Sequence, residues 1–179
     1  FSMTANLPTS LDLLRQTAIA RLAEAEVDEP RLAAEVVLAH VFDLTRAQLL
    51  ARPDEPLTPD QLIRTQRDLD RLVNGEPLAY VVGHREFYDV DLLTDARALI
   101  PRPETECLIE HALKLLADHP APLIADVGTG CGAIAVTLAK HLPRARIIAT
   151  DLSPDALDLA CENAQRADVT SRIEFRAVY

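Results

Sequence analysis

The sequence has 179 residues, of which 49% are hydrophobic and 4% aromatic, so one domain or two small ones can form around a mainly aliphatic core. Its formal net charge of -10 argues against a protein that binds duplex nucleic acid, because such proteins present a basic surface to the phosphates. No apolar run is long enough to cross a bilayer and the three cysteines lack metal-ligand spacing, so we expect a cytoplasmic protein with no membrane, nucleic-acid or metal partner.

Residues 4–75 are predicted to form a small helical bundle. Apolar side chains recur there with the period of a helix, and the predicted helices begin at recognisable start signals. In the clearest case Thr58 caps the helix, Pro59 takes the first helical position and Gln61 completes a capping box. The same helix is expected to stop at an Asn-Gly pair, where Gly75 can adopt a left-handed conformation.

Residues 76–100 are predicted to form a β-hairpin linker. The segment AYVVGHREFYDVDLLT, residues 79–94, is rich in Val, Tyr and Phe and contains one glycine, which indicates a pair of strands. The two prolines of IPRPETE, residues 100–106, cannot continue a strand, and we expect Pro103 to open the next helix.

Residues 101–179 are predicted to form part of a parallel α/β domain. A strand leads into the stretch GTGCG at 128–132, RIIATD forms a second strand at 146–151, and a third strand covers 172–178. Helical segments separate these strands, and the alternation predicts a parallel sheet with right-handed crossovers. The predicted fold class is therefore α/β, preceded by the helical bundle and the hairpin.

The glycine loop between the first strand and its helix is the candidate cofactor site. Gly128, Gly130 and the residues after them fit the dinucleotide fingerprint, and Asp151 ends the next strand where an acid can bind ribose hydroxyls. A nicotinamide-dependent oxidoreductase therefore remains one possible function class. Asp126, two residues before the first glycine, favours a different ligand, because its carboxylate would repel a pyrophosphate. S-adenosylmethionine has a sulfonium and an ammonium group and no phosphate, and it fits these residues better.

Two residues of this site also have simpler interpretations. Asp126 could cap the following helix without touching a ligand. Cys131 has no paired base in the sequence, so we expect it to fill the turn rather than act as a nucleophile. The predicted cofactor-binding residues from this region are Asp126, Gly128, Thr129, Gly130, Cys131, Gly132 and Asp151.

Three stretches of the sequence resemble the HemK/PrmC family of methyltransferases, which modify a glutamine in peptide chain release factors. They are GHREFYDVDLLTDARALIPRPETECLIEHAL at 83–113, DVGTGCGAIAVTLA at 126–139 and ATDLSPDALDLACENA at 149–164. The likeness runs from about Leu11 to Ser171. GHREFY and IPRPETE are its specific parts, whereas the glycine loop alone suits any class I methyltransferase.

The resemblance implies an S-adenosylmethionine-dependent enzyme with a Rossmann-like class I methyltransferase domain, of which this chain holds the first half. Its reaction would transfer a methyl group to the side-chain amide nitrogen (N5) of the glutamine in a Gly-Gly-Gln motif. The helical bundle would dock the release factor. The resemblance also implies that Tyr179 lies beside the adenine and that a loop lining the substrate gap contains Arg102, Pro103, Glu104 and Thr105.

The family's catalytic Asn-Pro-Pro-Tyr motif does not occur in this sequence. No catalytic residue is therefore assigned in this chain, and we expect the chain alone to be inactive. Only the first three strands of the family's sheet are accounted for, so we also expect an open apolar strand edge. We expect the chain either to self-associate through this edge or to be only marginally stable.

Two further function classes stay open at this point. One is an adenine-N6 methyltransferase acting on nucleic acid, which uses the same Asn-Pro-Pro-Tyr motif to accept the hydrogens of an exocyclic amine. The negative net charge of the sequence and the IPRPETE stretch count against it. The other class is a non-catalytic module, which would only bind a protein partner through the bundle.

Overall fold

The computed structural model describes residues 9–178, and the chain separates between Val82 and Gly83 into two compact units. The first unit is helical and the second combines a hairpin, a parallel sheet and helices, which confirms the α/β class. Within the described range, no helix has both the length and the hydropathy that a membrane crossing needs.

The first unit contains five helices among its described residues. Thr58 caps one of them, Pro59 follows at the first helical position and Gln61 closes the capping box, as predicted. Gly75 follows this helix with a φ of 85°, which confirms the left-handed stop. The helices are α1 (Leu11–Glu24), α2 (Pro30–Phe42), α3 (Arg46–Ala51), α4 (Pro59–Val73) and α5 (Leu78–Val82).

The prediction that residues 79–94 form only strands is wrong at its beginning, because Leu78–Val82 is the helix α5. The N–H groups of Tyr80 and Val81 donate to the carbonyl of Pro77. The Arg71 guanidinium in turn donates to the carbonyls of Tyr80 and Val81, at 3.1 and 2.9 Å. Because Val81 and Val82 are buried in the bundle core, packing outweighs their preference for strands.

The second unit begins with the predicted hairpin and continues into the predicted parallel sheet. The hairpin pairs β1 (His84–Phe87) with β2 (Val90–Leu93) in antiparallel register. The sheet order is β3-β4-β5, all parallel, with Asp126 beside Ala149 in the register. The strands are β3 (Leu123–Val127), β4 (Arg146–Asp151) and β5 (Ile173–Ala177), and the helices are α6 (Thr105–Leu116), α7 (Ala133–His141) and α8 (Pro154–Arg166).

The helix α6 begins two residues later than predicted. Pro103 lies in a turn before it, and the Thr105 N–H donates to the Arg102 carbonyl at 3.0 Å to close that turn. Glu104 is the N-cap residue, without a side-chain capping bond.

The core of the second unit gathers the hairpin, the sheet and the helices around one set of apolar side chains. This packing fixes the carboxyl ends of β3 and β4 next to the start of α7, which is where the glycine loop lies. The largest fully buried members of the core are Phe87, Leu92, Ile109, Val136, Ile147, Leu159 and Val169.

Candidate functional site

The glycine loop joins β3 to α7 and contains three left-handed glycines. Gly128, Gly130 and Gly132 have φ angles of 76°, 56° and 83°, in a region that residues with a Cβ rarely adopt. The N–H groups of Gly128 and Thr129 both donate to the carbonyl of Thr150 at 2.8 Å, which ties the loop to β4. The loop is therefore a fixed turn at the carboxyl ends of two neighbouring parallel strands, where α/β sheets bind ligands.

The three glycines have different surroundings. A Cβ on Gly132 would lie 3.0 Å from the Cβ of Ala160, so the packing of α7 against α8 requires this glycine. Among residues 9–178, a Cβ on Gly128 would meet no atom within 4 Å, and one on Gly130 would approach only Ala98, at 4.0 Å. Open space for a ligand thus adjoins Gly128 and Gly130, whereas helix packing explains Gly132.

Asp126 lies at the end of β3 and is 7% exposed. Its Oδ2 accepts hydrogen bonds from the Thr129 hydroxyl at 2.7 Å and from the Ala135 N–H at 3.2 Å. Burial raises the pKa of this carboxyl, the two hydrogen bonds lower it, and the charge of Asp151 raises it further, with a net increase. Asp126 therefore does cap the first turn of α7, and its Oδ1 accepts no hydrogen bond within residues 9–178.

Asp151 ends β4 and is half-buried beside the loop. Its Oδ2 accepts a hydrogen bond from the Gly130 N–H at 2.9 Å, and its Oδ1 accepts one from the Ser153 N–H at 3.0 Å. An ionised carboxylate has about four acceptor positions, so two backbone donors leave capacity for hydroxyl groups. Asp151 thus orders the loop and can still accept hydrogen bonds from a ligand.

Cys131 is 3% exposed. Its side chain is buried in the core of the second unit, and burial raises the pKa of its thiol to about 11. A thiol with this pKa is a poor nucleophile at neutral pH. The structure thus agrees with a residue that fills the turn.

The predicted substrate loop is on the surface. Arg102, Pro103 and Glu104 are exposed and Thr105 is half-buried, at the start of α6. Glu106, which the sequence did not single out as a site residue, accepts a hydrogen bond from the Tyr88 N–H at 3.1 Å and thereby fixes the hairpin turn. Tyr179, the predicted neighbour of the adenine, lies outside the described residues.

Asn163 is a residue of this region that the sequence patterns missed. It is buried on the inner face of α8, where its side chain bonds to the backbone of Cys131 in the loop and of Leu93 at the end of β2. The sequence feature that could have identified Asn163 is its position between Ala160 and Ala164, where a polar amide interrupts an otherwise apolar helix face.

Comparison with known proteins gives matches to both units. Residues 13–83 match a family model described as the PrmC N-terminal domain, and residues 124–178 match one described as a methyltransferase domain.

Curated relatives extend this likeness across most of the chain. A release factor glutamine methyltransferase of Chlorobaculum tepidum is 46% identical over 90% of this chain and 57% of its own length. The protein of the same name from Moorella thermoacetica is 46% identical over 87% of this chain and 55% of its own, and that of Escherichia coli K12 is 44% identical over 83% and 52%. The chain thus spans little more than half the length of these relatives. On the two domain matches and these identities, the chain belongs to the HemK/PrmC family.

Proposed function

We propose that this chain is the docking and cofactor-binding part of an S-adenosylmethionine-dependent methyltransferase. The proposed reaction methylates the side-chain amide nitrogen (N5) of the glutamine in the Gly-Gly-Gln motif of peptide chain release factors. Family membership supports the reaction and the substrate. The single observation that carries the cofactor is the acidic glycine loop, where Asp126 and Asp151 flank a turn with open space at Gly128.

The residues present fit S-adenosylmethionine better than a dinucleotide. Two carboxylates beside the loop repel phosphate and attract cations, and Asp126 has an oxygen without a partner in the described part of the chain. When bound, this cofactor supplies a methyl group activated by its sulfonium. Asp126 attracts the positive end of the cofactor, Asp151 accepts hydrogen bonds from ribose hydroxyls, and the backbone at Gly128 and Gly130 approaches the ligand closely.

Further residues are assigned through the family. In this proposal Tyr179 lies beside the adenine and residues 102–105 line the gap that receives the glutamine. The amide nitrogen of glutamine is a poor nucleophile because its lone pair is delocalised, so catalysis depends on orientation and on acceptors for the amide hydrogens. No such acceptor is assigned among the residues of this chain.

The bundle over residues 4–75 is assigned to docking of the release factor. The match of residues 13–83 to the PrmC N-terminal domain supports this assignment. Because release factors act on ribosomes, the proposal includes a cytoplasmic location.

Calorimetry of the chain with S-adenosylhomocysteine, and with NADH in parallel, tests the cofactor assignment. We expect heat of binding with S-adenosylhomocysteine and none with NADH, because only NADH brings a pyrophosphate to the acidic loop. Binding of NADH without binding of S-adenosylhomocysteine contradicts the proposal.

We also propose that the chain associates with itself through the free edge of β3. Within residues 9–178 this strand pairs only with β4, and its Leu123 and Val127 are 72% and 79% exposed. An apolar strand with one unpaired edge is a template for pairing with another chain. Sedimentation equilibrium is expected to show concentration-dependent association.

The substitution Leu123→Lys tests this contact, because a lysine on an edge strand opposes pairing. We expect it to shift the chain towards monomer, whereas Leu115→Lys on α6, where the leucine is 82% exposed, is the matched control. A wild-type monomer at all concentrations contradicts the proposal, as does an equal shift by the control.

A further inference from the structure

Asn163 joins two segments of the second unit that are far apart in sequence. It is 1% exposed. Its Nδ2 donates to the Cys131 carbonyl at 2.9 Å and to the Leu93 carbonyl at 3.1 Å. Its Oδ1 accepts from the Leu93 N–H at 2.7 Å. Both ends of the buried amide are therefore satisfied, and all its bonds go to backbone groups of the glycine loop and of the hairpin.

At the loop, Asn163 binds the carbonyl of Cys131. The Cys131 carbonyl lies between Gly130 and Gly132, two residues with large backbone freedom in an unfolded or loosened loop. The Gly130 N–H is bound by Asp151 at 2.9 Å. Asp151 and Asn163 thus fix the Gly130 N–H and the Cys131 carbonyl, on either side of the peptide between these two residues, from two different elements.

At the hairpin, Asn163 is assisted by its neighbour in sequence. Glu162 receives two hydrogen bonds from the Arg97 guanidinium, at 2.7 and 3.0 Å. Arg97 also binds Asp95 through its side chain, with the closest contact at 2.8 Å. Two adjacent residues of α8 therefore hold the segment 93–97, which leads towards the loop at 102–105.

We propose that Asn163 is a positioning residue that keeps the glycine loop in its ligand-binding conformation and couples the order of that loop to the end of the hairpin. The choice of S-adenosylhomocysteine as the probe rests on the proposed function. Loss of the amide leaves the Cys131 carbonyl and both Leu93 backbone groups without their buried partner, so loop and hairpin loosen together. Substitution of Asn163 is therefore expected to affect the glycine loop and the end of the hairpin at once.

The test compares Asn163→Ala and Asn163→Asp with Leu159→Ala. Aspartate keeps the size of asparagine and loses its donors. Leu159 is buried on the same helix, and its truncation leaves a cavity without removing a hydrogen bond from the loop. Two readouts are used: amide hydrogen exchange in the ligand-free chain and calorimetry with S-adenosylhomocysteine.

In both Asn163 variants, we expect the amides of Gly130, Gly132 and Thr94 to exchange about tenfold faster or more relative to the amides of the sheet, because the loop and the hairpin each lose at least one hydrogen bond. We expect the affinity for S-adenosylhomocysteine to fall about tenfold or more. The Leu159→Ala control is expected to speed exchange throughout the unit and to change the affinity much less.

Protected loop amides in Asn163→Ala contradict the proposal, and so does an equal local effect of Leu159→Ala. Faster exchange at the loop with unchanged exchange at Thr94 contradicts the coupling. The exchange experiment needs no ligand, so a wild-type chain that fails to bind S-adenosylhomocysteine refutes the proposed cofactor while exchange still decides the role of Asn163.

Discussion

Replacement of Gly132 by alanine is expected to destabilise the second unit by about 2–4 kcal/mol, from a left-handed backbone and an overpacked contact together. The new Cβ would lie 3.0 Å from the Cβ of Ala160 and 3.2 Å from its Cα, at a residue whose φ is 83°. Because backbone atoms of α8 form part of this contact, the strain cannot be relieved by the movement of one flexible side chain.

Gly128→Ala is the matched control for this substitution. Gly128 has a φ of 76°, close to that of Gly132, but a Cβ there would meet no atom of the described residues within 4 Å. Its alanine variant is therefore expected to lose only the conformational part, about 1–2 kcal/mol. Urea unfolding of both variants measures the difference, and equal losses contradict the assignment of Gly132 to helix packing.

A second substitution can confirm where the strain arises. Ala160→Gly removes the Cβ that the new methyl group would approach, at a cost of up to about 1 kcal/mol in helix propensity. In a double-mutant cycle we expect Gly132→Ala to cost less when Ala160 is already glycine. Strict additivity of the two substitutions places the strain elsewhere.

The elements whose signals are local were predictable from sequence. The capping boxes at Thr45 and Thr58 and the helix start at Ser153 follow from side chains within three residues of the cap. The parallel sheet follows from the alternation of strands and helices. The helix at Leu78–Val82 was not predictable in this way, because Arg71 and the bundle core stabilise it rather than its own sequence.

The residues of the candidate site likewise fall into those predictable from local sequence and those that depend on the packed fold. The loop glycines, Asp126 and Asp151 are recognisable because they follow the ends of strands in a known spacing. Asn163 was missed because its partners lie 32 and 70 residues away, and only the packed fold brings them within 3.1 Å. The separate role of Gly132 also depends on the distance between two helices, which no local pattern reports.

Asp126→Asn is expected to weaken cofactor binding without weakening the fold. Asparagine has the same size, and its Oδ1 can accept the hydrogen bonds that Oδ2 of Asp126 now accepts from Thr129 and Ala135. The substitution therefore keeps the cap on α7 and removes only the charge.

The effect of this substitution on stability depends on pH in a defined direction. Burial, and secondarily the charge of Asp151, raise the pKa of Asp126 in the folded state above its ordinary value. The folded state then holds its proton more tightly than the unfolded chain, so this carboxyl favours folding at low pH and loses that contribution as the pH rises through the raised pKa. Relative to wild type, Asp126→Asn should gain stability as the pH rises from the acid range towards 7. Urea unfolding across this range measures the gain, and a stability difference between the two proteins that stays constant or falls as the pH rises contradicts the expectation.

Asp126→Asn should weaken ligand binding, whereas it should not weaken the fold. Loss of a carboxylate close to a bound cation is expected to lower the affinity about 10- to 100-fold, a fraction of the several kcal/mol that two charges can share at a partly buried site. Asp118→Asn, which removes an exposed charge elsewhere in the same unit, is the control and should leave the affinity unchanged.

Comparison of two ligands tells which group Asp126 attracts. S-adenosylmethionine has a sulfonium and an ammonium group, whereas S-adenosylhomocysteine retains only the ammonium. A larger loss for S-adenosylmethionine assigns the carboxylate to the sulfonium, and equal losses assign it to the ammonium. Unchanged affinity for both ligands leaves Asp126 as a helix cap alone, and the acidic loop then no longer distinguishes this cofactor from a dinucleotide.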